Sequence, residues 1–229
     1  MIKHLACIMD GNRRWAKKQG LAAAYGHRQG VEAVKRAVDF CLKKHISHLS
    51  LYTFSIENHQ RSHQEKNYLF ELMISEATKG IEEFIAHNIN VRFVGDRTLF
   101  PAHLIPLCED IERQTAAGTA LQFNILFYYG GRQEIIRGIK DIVRQACAGE
   151  LTEDDITEQL VTHHLWMGDV PEPDLIIRTG GFKRLSNFLL YQAAYSELYF
   201  LDCLWPEITT DHLEEAFSYF TAGKRNFGT

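Results

Sequence analysis

Six short apolar runs, each closed by a turn signal, constrain this chain more than anything else in it. They cover residues 4–9, 48–55, 90–94, 121–129, 173–178 and 197–201. Most are nearly continuous in hydrophobicity rather than alternating, which is how a strand reads when both faces of its sheet are covered. Between them the apolar residues switch to helical spacing: Val31, Val34, Val38, Cys41 and Leu42 in 25–44, and Leu69, Leu72, Met73, Ala77, Ile81, Phe84 and Ile85 in 65–87. The same spacing recurs as Ile135, Ile136, Ile139, Ile142 and Val143 in 132–147, and as Leu213, Ala216, Phe217 and Phe220 in 210–221. A further helix is expected over 101–115, and a short, polar helical connection over 149–170. Strand alternating with helix predicts the α/β class: a single domain over 1–229, with a mainly parallel six-stranded sheet flanked by helices on both faces.

Composition narrows the partners. At 45% hydrophobic residues the chain can bury a large core, and a net charge of −4 argues against a general nucleic-acid surface while leaving room for a small basic pocket. Five scattered cysteines without a C-x-x-C pair read as reduced thiols of a cytosolic protein, not as a zinc site or a disulfide framework. No apolar run approaches the ~18 residues of a membrane span. Adjacent His163 and His164 point apart on any regular element, so they are not expected to share a metal.

The stretch HLACIMDGNRRW, from His4 to Trp15, concentrates the chemistry. A buried strand stops at Asp10, Gly11 permits a tight turn, and Asn12, Arg13, Arg14, Lys17 and Lys18 begin a helix dense in positive charge. Loops at the carboxyl ends of parallel strands form the usual ligand crevice, and helix starts favour anions. A lone carboxylate there repels an anion unless a divalent cation lies between, which suggests phosphate with Mg²⁺; the plainer alternative is that Asp10 caps the turn. Polar groups also gather past other strands: Ser55, Glu57, Asn58 and Arg61 after the second, and Arg178, Arg184 and Ser186 around the fifth, where strand, glycine turn, basic residues and helix are expected to recur. Arginine forks suit diphosphate oxygens. Walker, dinucleotide, nucleophile-elbow and H-E-x-x-H signatures are all missing, which disfavours those four chemistries.

HLACIMDGNRRWA, Gly26-His27, LYTFSIEN, VRFVGD, YYGGR, PDLIIRTGG and RLSNFLLYQAAYSELYF, in that order, resemble the cis-prenyltransferase family. The resemblance implies a homodimer that adds isopentenyl diphosphate repeatedly to an allylic diphosphate such as farnesyl diphosphate. The activity is Mg²⁺-dependent and the product grows into an apolar tunnel. It implies a long-chain cis-polyprenyl diphosphate such as undecaprenyl diphosphate, and a cytoplasmic enzyme drawn to the membrane surface by its lipid product. By similarity Asp10 is the essential acid and holds the metal with Glu197, and Asn58 joins Asp10 in catalysis. Gly11, Asn12, Arg14 and His27 cradle the allylic diphosphate, Arg13 and Trp15 also bind substrate, Ser55, Glu57, Asn58 and Arg61 orient both substrates, and Arg178, Arg184 and Ser186 hold isopentenyl diphosphate. The resemblance also places Thr53 and Leu121 against the tunnel, to which the broad apolar stripe of 65–87 would add wall. The proton acceptor stays open between His27 and the released diphosphate.

Some positions depart from the family pattern: Ala23 for a basic residue, His59 for Trp, Phe182 for Glu, and Asn226 in a terminal R-x-G tripeptide. Rival readings are a short- or medium-chain synthase, a non-catalytic partner subunit, and a phosphate-binding module or phosphatase of the same sheet class. Retention of Asp10 speaks against the non-catalytic subunit.

Overall fold

A computed structural model describes residues 2–60 and 62–223. Every strand that the apolar runs predict is present: β1 His4–Ile8, β2 His48–Ser55, β3 Ile89–Val94, β4 Leu121–Tyr129, β5 Leu175–Arg178 and β6 Glu197–Phe200. They form one sheet in the order β3-β4-β2-β1-β5-β6, and all five pairings are parallel. The helices are α1 Asn12–Lys18, α2 Ala23–Lys43, α3 His63–Lys79, α4 Ile81–Ala86, α5 Ile105–Thr115, α6 Gly131–Cys147, α7 Glu158–His163 and α8 Thr210–Ala222.

Alternate residues of β1, β4 and β5 feed two cores. Leu5, Cys7, Leu49, Leu51, Phe123, Ile125, Leu175 and Ile177 join the larger one, with α2, α3, α5 and α8. Ala6, Ile8, Leu126 and Ile176 join the smaller one, with Met167 and Phe188. On the smaller core's face a buried polar chain runs across three strands: His4 Nε2 lies 2.7 Å from Ser50 Oγ, which also accepts from Asn124 Nδ2 at 3.1 Å. Burial lowers the His4 pKa to about 4, so this ring is neutral at physiological pH.

Three expectations need correction. The helix expected over 65–87 is two helices, with Gly80 as the cap residue at which α3 ends and α4 begins. The Phe84 ring packs where a Gly80 Cβ would stand, 2.9 Å away, so a side chain at 80 would displace it. No helix follows Arg184. Ser186, Asn187 and Leu189 adopt positive φ (53, 67 and 41°), which turns the backbone repeatedly instead of propagating it. On α6, Ile142 is buried but Ile136, Ile139 and Val143 are exposed, so the apolar face divides between core and surface. The five cysteines are all free thiols.

The turns after β5 are carried by α6 instead. Gly131 N–H donates to Asn187 O at 2.7 Å and Arg132 N–H to Asn187 Oδ1 at 2.9 Å. Beneath them, fully buried Glu134 accepts from the Tyr129 hydroxyl, from Met167 N–H at 3.0 Å and from Gln192 Nε2 at 3.1 Å. Burial outweighs those donors and raises the Glu134 pKa above its ordinary 4.5. An acid with a raised folded-state pKa stabilises the fold at low pH and loses that contribution as pH climbs through the folded value. The stability advantage of wild type over Glu134→Gln should therefore shrink as pH rises from 4.5 in urea-denaturation curves. Glu134→Ala, which strands three buried donors, should cost roughly 3 kcal/mol near pH 4.5, and that cost too should shrink as pH rises.

Candidate active site

The chain leaves β1 in one direction across the sheet, toward β2, β4 and β3, while β5 and β6 lie on its other side. That reversal opens a crevice at the carboxyl ends of β1 and β5. Ile8 and Arg178 are register partners there, so Asp10 and Arg178 leave adjacent strand ends. The Asp10 backbone is pinned from two sides: its N–H donates to Thr179 Oγ1 at 3.1 Å, and its carbonyl accepts from Thr179 Oγ1 at 2.7 Å and from Trp205 N–H at 3.0 Å. Gly11 then turns at φ 119°, where a Cβ would also strike Leu204 at 2.9 Å.

Each Asp10 carboxylate oxygen accepts from a different arginine. Arg14 reaches Oδ1 and Arg178 reaches Oδ2, both at 3.0 Å. Arg14 also donates to Gly180 O at 2.8 Å, and Arg178 to Ser186 Oγ at 2.8 Å and to the Arg184 carbonyl. Arg184 Nε lies 3.2 Å from the same hydroxyl. The Arg178 side chain is only 4% exposed, and its Nε has no protein acceptor among the described residues. The Arg178 and Arg14 guanidiniums therefore meet on Asp10 at the mouth of a cavity.

α2 closes the other wall. Gly26 and Gly30 let it lie directly on α1, since a Cβ at Gly26 would be 2.0 Å from Asn12 O and one at Gly30 would be 2.6 Å from Asn12 Oδ1. His27 comes with it, buried, its Nε2 3.5 Å from Glu65 Oε1, which also lies 3.6 Å from Arg13 Nε. After β2, Ser55 Oγ accepts the Asn58 N–H at 3.2 Å, and Asn187 Nδ2 donates to Glu57 Oε1 at 2.7 Å and to Gln133 Oε1 at 3.0 Å.

From this polar mouth a cavity of about 500 Å³ runs between the sheet and helices α2, α3 and α4. Asp10, Gly11, Asn12, Arg13, Arg14, His27, Ser55, Asn58, Arg178 and Ser186 line the mouth. Val31, Val34, Val38, Leu42, Leu69, Leu72, Met73 and Ala77 line the shaft, with Phe84, Ile89 and Phe123 beyond them. Leu69, Leu72, Met73, Ala77 and Phe84 of the expected stripe thus line this cavity, whereas Ile85 is exposed.

Most of the expected site residues meet here. Trp15, Glu57 and Arg184 are not among the lining residues, although Glu57 and Arg184 bond to groups at the rim. Thr53 lines the shaft, but Leu121 does not, and Phe123, two residues on along β4, takes its place. Arg61 and Asn226 lie outside the described residues. Glu197 pairs with Leu175 at the start of β6, whereas the rim is level with Arg178 and Phe200, so within one chain it lies apart from Asp10. Among the described residues there is no cluster of three or more acidic, histidine or cysteine side chains that could hold a metal by themselves. Sequence reasoning missed Thr179, Glu65 and Asn187; the Gly26-x-x-x-Gly30 spacing on a predicted helix was a readable sign of close helix contact.

The comparisons with known proteins agree with this geometry. A family model described as "Putative undecaprenyl diphosphate synthase" matches residues 8–228. The chain belongs to the undecaprenyl diphosphate synthase family. Among curated members of this cis-prenyltransferase family, the ditrans,polycis-undecaprenyl-diphosphate synthases ((2E,6E)-farnesyl-diphosphate specific) of Photorhabdus laumondii and Escherichia coli K12 are 44% and 42% identical. Each alignment covers 99% of this chain and 89% of the relative. The fold is that of lavandulyl diphosphate synthase from Lavandula x intermedia, solved with dimethylallyl diphosphate (TM-score 0.96, 30% identity, 100% of this chain and 98% of that one). It is also that of a probable undecaprenyl diphosphate synthase from Campylobacter jejuni (TM-score 0.82, 33% identity, 100% and 99% covered).

Because the hypothetical Gly26 Cβ meets backbone rather than a yielding side chain, Gly26→Ala must push α2 off the first turn of α1. The expected cost is about 1–3 kcal/mol in urea denaturation, with weaker binding of inorganic pyrophosphate in a calorimetric titration.

Proposed function

We propose that this chain condenses isopentenyl diphosphate repeatedly onto farnesyl diphosphate to give a long-chain cis-polyprenyl diphosphate of the undecaprenyl type. Such a product is the precursor of a lipid carrier for cell-wall synthesis. The observation that carries this reading is one cavity with two chemistries, an arginine- and asparagine-lined mouth continuous with a mainly apolar shaft that Lys35, Asp39, Glu76, Glu83 and His87 also border. Those are the two ends of an allylic diphosphate. Relatives more than 40% identical over 99% of the chain, named as farnesyl-diphosphate specific, supply the primer.

In this reading Gly11, Asn12, Arg13, Arg14 and His27 seat the allylic diphosphate, and Arg178, Arg184 and Ser186 that of isopentenyl diphosphate. Condensation breaks the allylic C–O bond, joins that carbon to the terminal carbon of isopentenyl diphosphate, and releases a proton. Negative charge growing on the departing diphosphate is met by guanidinium groups already held in place, so little reorganisation is needed as the bond breaks. Ser55 and Asn58 orient the second substrate, with His27 and the released diphosphate as the groups able to take the proton. The apolar shaft receives the lengthening chain and excludes water from the allylic cation. Asp10 is a single carboxylate, so it fits Mg²⁺ only as an ion that shares its shell with substrate phosphates and water, the usual Mg²⁺ habit. Bound there, the ion would supply Lewis-acid neutralisation of the leaving group.

We also infer a homodimer. What supports it is an exposed apolar stripe on α6, with Ile136, Ile139 and Val143 each about half exposed, on the protein that also carries the unpaired β6 edge. No helix among the described residues is long and apolar enough to cross a membrane, so in this reading contact with one is peripheral, through the lipid product. The likeness to lavandulyl diphosphate synthase favours a second reading, a short-chain synthase.

Incubation with farnesyl diphosphate, isopentenyl diphosphate and Mg²⁺, followed by mass analysis, should give a ladder of five-carbon additions ending in a long chain. A single addition would select the short-chain reading, and phosphate release without elongation would select a phosphatase. Asp10→Asn should lower elongation by about 10²-fold or more, the scale of a lost transition-state charge contact. It should nonetheless bind metal-free pyrophosphate at least as tightly as wild type, since a like charge has been removed. Ile139→Glu should convert the dimer to a monomer in light scattering, with an unchanged far-ultraviolet circular dichroism spectrum.

A further inference from the structure

Two consecutive glycines in left-handed conformation, Gly180 (φ 87°) and Gly181 (φ 76°), carry the backbone from β5 to Phe182. The ring is 42% exposed, so burial explains little of its position. Its surroundings are cationic instead: Arg184 Cζ lies 4.4 Å from the ring centroid, Arg14 Cζ 4.9 Å and Arg178 Cζ 6.0 Å. Three guanidiniums around one exposed phenyl ring are a strongly repulsive grouping in the absence of an anion, apart from what Asp10 offsets. An aromatic face attracts each cation through its quadrupole. It does so without using N–H donors, because a guanidinium that meets a ring with its flat face keeps its planar fork of donors pointed elsewhere. A carboxylate in the same place would occupy those donors. Arg14, with a side chain 43% exposed, and Arg184 otherwise have few anchors: Asp10 and the Gly180 carbonyl for one, Ser186 for the other.

We propose that Phe182 is a positioning residue: an aromatic plate that stacks Arg14 and Arg184 and holds both forks ready for diphosphate oxygens. The proposal rests on the reading of this rim as the seat of two diphosphates. It assigns to one residue, placed between Arg14 on the allylic side and Arg184 on the isopentenyl side, an influence on affinity at both. Since the plate acts before bond breaking, it moves binding more than turnover.

The test compares wild type with Phe182→Leu, Phe182→Tyr and Phe182→Glu. Inorganic pyrophosphate binding is measured calorimetrically in the presence of chelator, and KM and kcat for both substrates with Mg²⁺. Leu should weaken pyrophosphate and raise both KM values about three- to ten-fold, the scale of one or two exposed cation–π contacts, with kcat and Tm close to wild type. Tyr should restore both, which a loss of general packing would not explain. Glu should weaken pyrophosphate more than Leu, because it competes for the arginine donors. Equal pyrophosphate affinity in wild type and Phe182→Leu, or no recovery in Phe182→Tyr, overturns the proposal. Pyrophosphate affinity is read without turnover, so a wild-type chain that fails to elongate refutes the proposed function separately.

Discussion

The structure depends most on a carboxylate shared by two arginines. Arg178 is almost wholly buried at the end of β5, and a buried guanidinium without a partner costs several kcal/mol. Asp10 supplies that partner from the neighbouring strand, while its second oxygen holds Arg14. The pair thus fixes the relation between the first βα turn and the turns after β5. It also keeps the basic groups from repelling one another before a ligand arrives. The arrangement is poised rather than satisfied: Arg178 Nε has no acceptor among the described residues, and the Asp10 side chain keeps about a quarter of its surface exposed.

The tunnel follows from how the two faces of the sheet are covered. On one face α2 is held tight against α1 by Gly26 and Gly30, yet its valines face α3 across the shaft rather than interlocking with it. Proteins rarely leave such apolar volume unfilled, because voids forfeit dispersion contacts. Here the missing contacts coincide with a charged mouth, so the volume reads as a seat for a molecule with a polar head and a greasy tail. On the other face Glu134, Tyr129 and Gln192 give a rigid polar base to the turns that carry Arg184 and Ser186.

How much of this was legible depended on the range of the determining contact. The spans 48–55 and 121–129 match β2 and β4 end to end, since their apolar runs stop at polar or glycine residues. The break at Gly80 was harder to see, because one glycine in an apolar stripe leaves helical periodicity intact. Ser186, Asn187 and Leu189 gave no local sign of their positive φ, which α6 stabilises from some 55 positions away in sequence through Asn187. Asp10, Asn12, Arg14 and Arg178 could be gathered in advance by their common place after parallel strands. The distance of Glu197 from Asp10 within one chain was not legible, because only the register with Leu175 puts it at the far end of the sheet. Thr179 and Glu65 act through contacts that no local pattern announces.

The Asn187 side chain joins the segment after β2 to α6 through Glu57 and Gln133. Each such bond, near solvent, is worth about 1 kcal/mol net, whereas every buried methylene of a lipid tail contributes about 0.8 kcal/mol. In the proposed reaction, a contact that light would yield to a small charged molecule at far less cost than the shaft would exact for releasing a long hydrocarbon, so a growing chain would stay while its building blocks come and go.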